Sequence, residues 1–163
     1  MKLIRFILIS VVVMFAIASF IGLLMPSTVL VSRAVNVSAP KDSIIRYVND
    51  IRQWKEWMEG LRDPSVIIQS ASFAEMKGTK VSITGLSDST IRSVWTTKNG
   101  NSQFATMQLI GSPGQDITVV QWQFEEKLNW YPWERLGSMM NDKIIGPMME
   151  TNLNNLKNLA EKK

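Results

Sequence analysis

Cysteine and histidine are both missing from the 163 residues. Without cysteine the chain has no disulfide, no thiolate nucleophile and no zinc-thiolate site. Without histidine it has no Ser-His-Asp triad, no imidazole base and no histidine metal ligand. Acid–base chemistry would have to use Asp, Glu, Lys, Arg or Tyr, and no residue of these types stands out in the sequence. We therefore expect no catalytic residue, no metal site and no cofactor.

A strong net charge is lacking as well. The chain carries 18 Lys and Arg against 14 Asp and Glu, a net charge of +4. Two of the basic residues, Lys2 and Arg5, precede an apolar N-terminal run, so the remainder is closer still to neutral. Without basic clusters, nucleic acid is not expected as a partner.

Charged residues are absent from residues 6–25, where Ser10 and Ser19 are the only polar side chains. A helix of this length spans roughly 30 Å, the thickness of the hydrocarbon core of a bilayer. The segment is predicted to be an uncleaved transmembrane anchor. The alternative is a cleaved signal peptide, in which residues 16–18 resemble an A-x-A cleavage site, although apolar sequence continues beyond that site to Met25.

The flanking charges predict the orientation of the anchor. Lys2 and Arg5 lie before the apolar run, and the first charge after it is Arg33. The positive-inside tendency then places the N-terminus in the cytoplasm and the rest outside it, in the periplasm if the cell is a bacterium with two membranes. We predict an anchor over 1–26 and one domain over 27–163, which is long enough for one core and too short for two.

Alternating apolar residues predict a first strand at 29–37, with Arg33 as the one exception on the valine side. Two short helices follow, one from Pro40 and one over 52–58. Five further strands are predicted in an antiparallel meander, at 66–73, 80–84, 90–97, 102–110 and 117–128. The last strand has one apolar and one polar face, so the sheet needs a cover on one side.

The predicted cover is the C-terminal segment, from Pro132 to about Lys162. Two apolar stripes recur along it at helical spacing: Leu136, Met140 and Ile144, then Leu153, Leu156 and Ala160. Gly146-Pro147 falls between them and predicts a kink, or two helices in sequence.

Several stretches share the order and spacing of a known family, namely 35–40, 50–57 with Asp63-Pro64, 116–122, Gly146-Pro147 and 153–159. They resemble the START-like superfamily (SRPBCC, helix-grip), and within it small polyketide cyclase/dehydrase-type members with an N-terminal membrane helix. The resemblance implies an α+β helix-grip fold. In that fold a curved antiparallel sheet of about six to seven strands wraps on a long C-terminal helix, with two short helices after the first strand. It also implies a cavity between sheet and helix, which such proteins use for lipids, sterols, quinones, polyketides or plant hormones.

Aromatic and methionine side chains are the candidates for lining this cavity, because they present large and adaptable apolar surfaces. The candidate ligand-binding residues are Trp57, Trp95, Met107, Trp122, Phe124, Met139, Met140, Ile144 and Met148. The alternative is that they fill an ordinary core. Trp130, Tyr131 and Trp133 are candidates for a membrane-interface surface, with simple packing as the alternative.

Three function classes follow. The first is a membrane-anchored, non-catalytic domain that binds a hydrophobic small molecule or lipid between the sheet and the C-terminal helix. The second is a polyketide cyclase/dehydratase-like enzyme. The third is an interaction domain with a filled core. A cavity between sheet and helix supports the first two classes, and only the enzyme requires polar groups that converge on it.

Overall fold

An antiparallel sheet forms the centre of this computed structural model, which describes residues 2–112, 114, 116–138 and 140–162. Seven strands lie within the described residues: β1 Thr28–Val37, β2 Ile67–Ser70, β3 Phe73–Met76, β4 Thr79–Leu86, β5 Thr90–Thr96, β6 Ser102–Ile110 and β7 Thr118–Lys127. Their order in the sheet is β1-β7-β6-β5-β4-β3-β2. The first strand therefore pairs with the last, and the others follow as a meander.

Helices precede, interrupt and follow the strands. They are α1 Lys2–Leu24, α2 Lys41–Val48, α3 Ile51–Trp54, α4 Pro132–Ser138 and α5 Asn141–Glu161, with a 3-10 turn at Glu59–Leu61. The predicted α+β fold is confirmed, including the seven-stranded antiparallel sheet, the two short helices after β1 and the long C-terminal helix. Helix α1 is long and apolar enough to cross a membrane.

The first strand of the predicted meander is two strands in the structure. Residues 66–73 form β2 and the start of β3, with a tight reversal between Ser70 and Phe73. The Ser70 hydroxyl accepts a hydrogen bond from the Ser72 backbone N–H at 3.2 Å. Local side-chain bonds of this kind compete with the ladder of a continuous strand.

The C-terminal segment forms two helices in sequence, which was one of the two predicted alternatives, but their separation is not at Gly146-Pro147. These two residues lie inside α5, and the separation falls before Asn141. The Ser138 hydroxyl donates to the Arg135 carbonyl at 2.7 Å, which favours termination of α4.

Arg33 explains why a glycine occurs at position 146. The side chain of Arg33 lies on the inner face of β1 and pairs with Asp142 at 2.9 Å and Glu150 at 2.6 Å on α5. The hydrogen bond to Asp142, and to a smaller extent the one to Glu150, raises the pKa of the guanidinium above its ordinary value. On its way the guanidinium crosses Gly146, where a Cβ would overlap it. Arg33, the exception on the valine side of β1, and Gly146 of α5 therefore contact each other.

Candidate functional site: the groove between the sheet and the C-terminal helices

Five aromatic side chains form a closed ring of contacts inside the molecule. Trp122 lies 5.8 Å from Trp57 and 5.1 Å from Phe124, measured between ring centroids. Phe124 lies 5.5 Å from Trp95, and Trp54 closes the ring at 6.3 Å from Trp95 and 5.8 Å from Trp57. Each of the five is at least nine-tenths buried. The ring occupies the interior between the sheet and the short helices.

Hydrogen bonds hold the tryptophans of this ring in place. The indole N–H of Trp54 donates to the Val48 carbonyl, and that of Trp57 donates to the Tyr47 carbonyl, both at 2.9 Å. Both acceptors lie in the last turn of α2, where helix carbonyls lack intrahelical partners. The indole of Trp95 donates to the Ser93 hydroxyl at 3.1 Å. The ring therefore combines packing with satisfied polar atoms, which makes its geometry specific.

Helix α5 is attached to the same region by two asparagines. The buried Asn152 accepts from the Glu59 backbone N–H at 3.1 Å, and Asn155 donates to the Trp57 carbonyl at 3.2 Å. The backbone N–H of Ser38, just after β1, donates to Glu161 at 2.7 Å. These contacts hold the C-terminal half of α5 against the sheet and the segment that follows α3.

An open cleft lies at the other end of the groove, under α4 and the start of α5. Its volume is about 440 Å³. It is lined by Asn101, Ser102, Glu126, Lys127, Leu128, Asn129, Trp133, Glu134, Gly137, Ser138 and Asn141. The lining therefore comes from β6, β7 and both C-terminal helices, and most of it is polar.

Glu126 is the central polar group of this cleft. Glu126 lies on the inner face of β7, two residues beyond Phe124. The ring of five aromatic side chains therefore begins about 7 Å further along the strand. Its carboxylate accepts hydrogen bonds from Gln103 at 3.0 Å and from Asn141 at 2.9 Å. The carboxylate thus ties β6 and α5 together at the mouth of the groove.

The structure separates the predicted cavity-lining residues into two groups. Five of them are buried on or against the inner face of the sheet, namely Trp57, Trp95, Met107, Trp122 and Phe124. Three others, Met140, Ile144 and Met148, are exposed by 50%, 68% and 40%. The stripe of Leu136, Met140 and Ile144, which was expected to cover the sheet, is exposed, and the inner face of α5 carries Met149, Leu153 and Leu156 instead. A role of the candidate residues in ligand binding stays a prediction. Met139 lies outside the described residues.

Arg135 is a buried charge that the sequence pattern did not reveal. Its guanidinium donates to the carbonyls of Gly22 at 2.9 Å, Met25 at 2.7 Å and Asn129 at 3.1 Å. Two of these carbonyls belong to the C-terminal end of α1, where a cation is favoured by the helix dipole. Gly22 itself packs on Pro132, since a Cβ there would lie 3.1 Å from the proline Cα. The C-terminal end of α1 is therefore packed against α4 and hydrogen-bonded to it.

The aromatic residues before and within α4 form a second, exposed cluster. Tyr131 stacks on Trp133 and lies tilted against Trp130, with ring centroids 4.9 Å apart in each pair. Trp130 and Trp133 are more than half exposed. A sequence signal for this cluster existed in the close spacing of the three aromatic residues.

The described residues show no group of three or more acidic side chains placed to hold a metal ion. In that part of the chain the cleft offers hydrogen-bonding groups from Glu126, Asn141 and Asn129. This arrangement can bind the polar part of a small molecule.

No protein-family model matches the chain, and neither does any curated protein sequence. Solved structures do resemble it. A START superfamily protein from Mycobacterium smegmatis has a TM-score of 0.63 at 15% identity, with 82% of this chain and 97% of that chain covered. The protein XoxI from Bacillus cereus has a TM-score of 0.62 at 7% identity, with 82% and 96% covered.

A third similar structure is the di-domain ARO/CYC BexL from the BE-7585A biosynthetic pathway. Its TM-score is 0.63 at 13% identity, with 84% of this chain covered, and the chain spans 51% of that di-domain protein. At such identities these likenesses define the fold alone. The chain has the START-like fold, as the order of its motifs predicted.

Proposed function

We propose that the chain is a membrane-anchored, non-catalytic domain that binds an amphipathic small molecule or lipid between the sheet and the C-terminal helices. The observation that carries this proposal is the cleft of about 440 Å³ between β6, β7 and helices α4 and α5. Its volume is in the range of small-molecule sites. The START-like fold fits a ligand-binding domain, and the lack of histidine and cysteine favours binding over catalysis.

The chemistry of the groove favours a ligand with one polar end. The cleft presents Glu126 and Asn141 as polar groups and Leu128 and Trp133 as apolar lining. A headgroup would bond to the polar groups while an apolar part lies against Leu128 and Trp133.

Anchoring by α1 is supported by the exposure of its side chains. From Leu3 to Leu24 the large apolar residues of the helix are 46% to 74% exposed, while Gly22 is buried against α4. An apolar surface of this extent is unfavourable in water and favourable in lipid. The backbone at the cleft is close to the end of α1, because the Leu128 N–H donates to the Ser27 carbonyl at 2.8 Å. The cleft thus lies at the end of the domain next to the anchor.

The test is a variant that fills the cleft. A Cβ at Gly137 would meet no atom within 4 Å, so Gly137→Trp places a ring in the cleft without forcing the helix apart. Leu86→Trp is the control, because Leu86 is also exposed and lies on β4, where it does not line the cleft. The full chain is extracted in detergent and examined by native mass spectrometry, and its binding of a fluorescent phosphatidylglycerol is measured.

We expect the wild type and Leu86→Trp to retain a co-purifying lipid and to bind the probe, and Gly137→Trp to lose both. Equal loading of all three proteins, or no loading of any, would contradict the proposal. The second result would favour an interaction domain with a filled interior, a function that the closed ring of five aromatic side chains supports.

A further inference from the structure

The C-terminal helices carry a series of exposed apolar residues, here called the outer stripe. It consists of Trp130, Trp133, Leu136, Met140, Ile144 and Met148, which are 40% to 68% exposed. Trp133 and Leu136 lie one turn apart on α4, and Ile144 and Met148 lie one turn apart on α5, while Trp130 precedes α4 and Met140 directly precedes α5. The buried side of these helices carries Arg135 and Ser138 on α4 and Gly146 and Met149 on α5. The exposed apolar residues therefore take no part in the described contacts with the sheet.

The outer stripe begins at the last turn of α1. Pro132, the first residue of α4, packs on Gly22, and Arg135 bonds to the carbonyls of Gly22 and Met25. Gly22 lies three residues before Met25, a rise of about 4.5 Å along a helix. If α1 spans a bilayer, the start of α4 is held at the depth where hydrocarbon gives way to headgroups.

The side chains of the outer stripe suit that depth. Trp130 and Trp133, which both contact Tyr131, are of the residue type that concentrates at membrane interfaces. The nearby carboxylates of Asp142 and Glu150 pair with Arg33 on the side of the sheet. Lys143 is exposed beside Ile144 and can reach toward lipid phosphates.

We propose that the outer stripe docks on the bilayer surface, with its side chains at the boundary between headgroups and acyl chains. This inference rests on the proposed function, since it takes α1 as the anchor. Interfacial helices bury their apolar face about 5–10 Å into that boundary. Trp133 borders the cleft as well as the stripe, so docking brings the mouth of the cleft to the level of the headgroups. A lipid then enters the cleft from the bilayer without crossing water.

The absence of cysteine allows a direct test with single nitroxide labels on the full chain. Labels are placed at Met140→Cys and Ile144→Cys in the outer stripe, at Val12→Cys in α1, and at Leu86→Cys as a control. Leu86 is 57% exposed on β4, away from the stripe. The protein is reconstituted in vesicles of phosphatidylcholine and phosphatidylglycerol. Power-saturation measurements then compare the accessibility of each label to oxygen, which enters lipid, and to a water-soluble nickel chelate.

We expect the labels at positions 140 and 144 to favour oxygen severalfold over the control at 86, at a shallower depth than the label at 12. If the labels at 140 and 144 are as accessible to the nickel chelate as the label at 86, while the label at 12 lies deep in lipid, the docking is overturned and the anchor stands. Nickel access at 12 would overturn the anchor itself. Spin–spin broadening at 140 or 144 that disappears on dilution with unlabelled chain would assign the stripe to a second copy and overturn the docking.

Discussion

Arg33 and Gly146 illustrate how one side chain constrains a residue on another element. The guanidinium of Arg33 passes over the backbone of α5 to reach Asp142 and Glu150. It can do so because residue 146 has no Cβ. In most helices glycine is unfavourable by about 1 kcal/mol relative to alanine, so its presence inside α5 needs a local reason of this kind.

Gly146→Ala should lower the free energy of unfolding in the wild type relative to its effect in an Arg33→Ala background, because in the wild type the new methyl group has to displace the paired guanidinium. In an Arg33→Ala background the same substitution should be neutral or stabilising, since the obstacle is gone and alanine is the better helix former. Denaturant unfolding of the four proteins in the cycle provides the measurement. An equal cost of Gly146→Ala in both backgrounds would exclude the proposed overlap.

Residue patterns identified the apolar faces but not which face turns inward. Leu153 and Leu156 were predicted to cover the sheet and are buried. Met140 and Ile144 have the same helical spacing and are exposed. Periodicity reports that a face is apolar, and both a core and a membrane surface satisfy that condition. The mouth of the cleft was missed because Glu126 and Asn141 are distant in sequence and meet only through the β7–α5 contact.

At the scale of elements, α4 is the connection between the apolar helix and the sheet. Helix α4 packs against Gly22 at the end of α1, and Arg135 of α4 donates hydrogen bonds to the carbonyls of Gly22 and Met25. The sequence predicted a helical cover from Pro132 with either a kink at Gly146-Pro147 or two helices in sequence. The sequence pattern does not show the hydrogen bond of the Ser138 hydroxyl at the end of α4. It also does not show that Arg33 occupies the space beside Gly146.

Arg135→Ala should loosen the junction between α1 and the domain, because the part-buried Met25 carbonyl loses the guanidinium donor and the buried Gly22 carbonyl keeps only the Met25 N–H, at a cost of about 1 kcal/mol. Distances between nitroxides at Val12→Cys and Leu86→Cys should change from a narrow to a broad distribution. Arg62→Ala is the matched control, since Arg62 also donates to two carbonyls, those of Lys55 and Glu56, away from α1. Equal broadening in both variants, or in neither, would mean that Arg135 does not hold the junction.

For the whole molecule, the charge pattern around α1 predicts that the sheet lies outside the cytoplasm. Leu86→Cys introduces the one thiol of the chain at an exposed position of β4. A membrane-impermeant maleimide should label it in intact spheroplasts. Labelling that requires permeabilised membranes would reverse the topology. Recovery of the protein in a carbonate wash would contradict anchoring.

The pairing of β1 with β7 has a consequence for how the chain folds. Val35 pairs with Val120, so closing this contact brings together positions separated by more than half of the sequence. Loop closure of this kind is slow compared with forming a local hairpin. During synthesis β1 is made directly after α1, whereas its partner strand β7 follows all the other strands and the covering α5 follows β7. The sheet can therefore close only after β7 has emerged, and until then the apolar side chains of β1 have no partner strand.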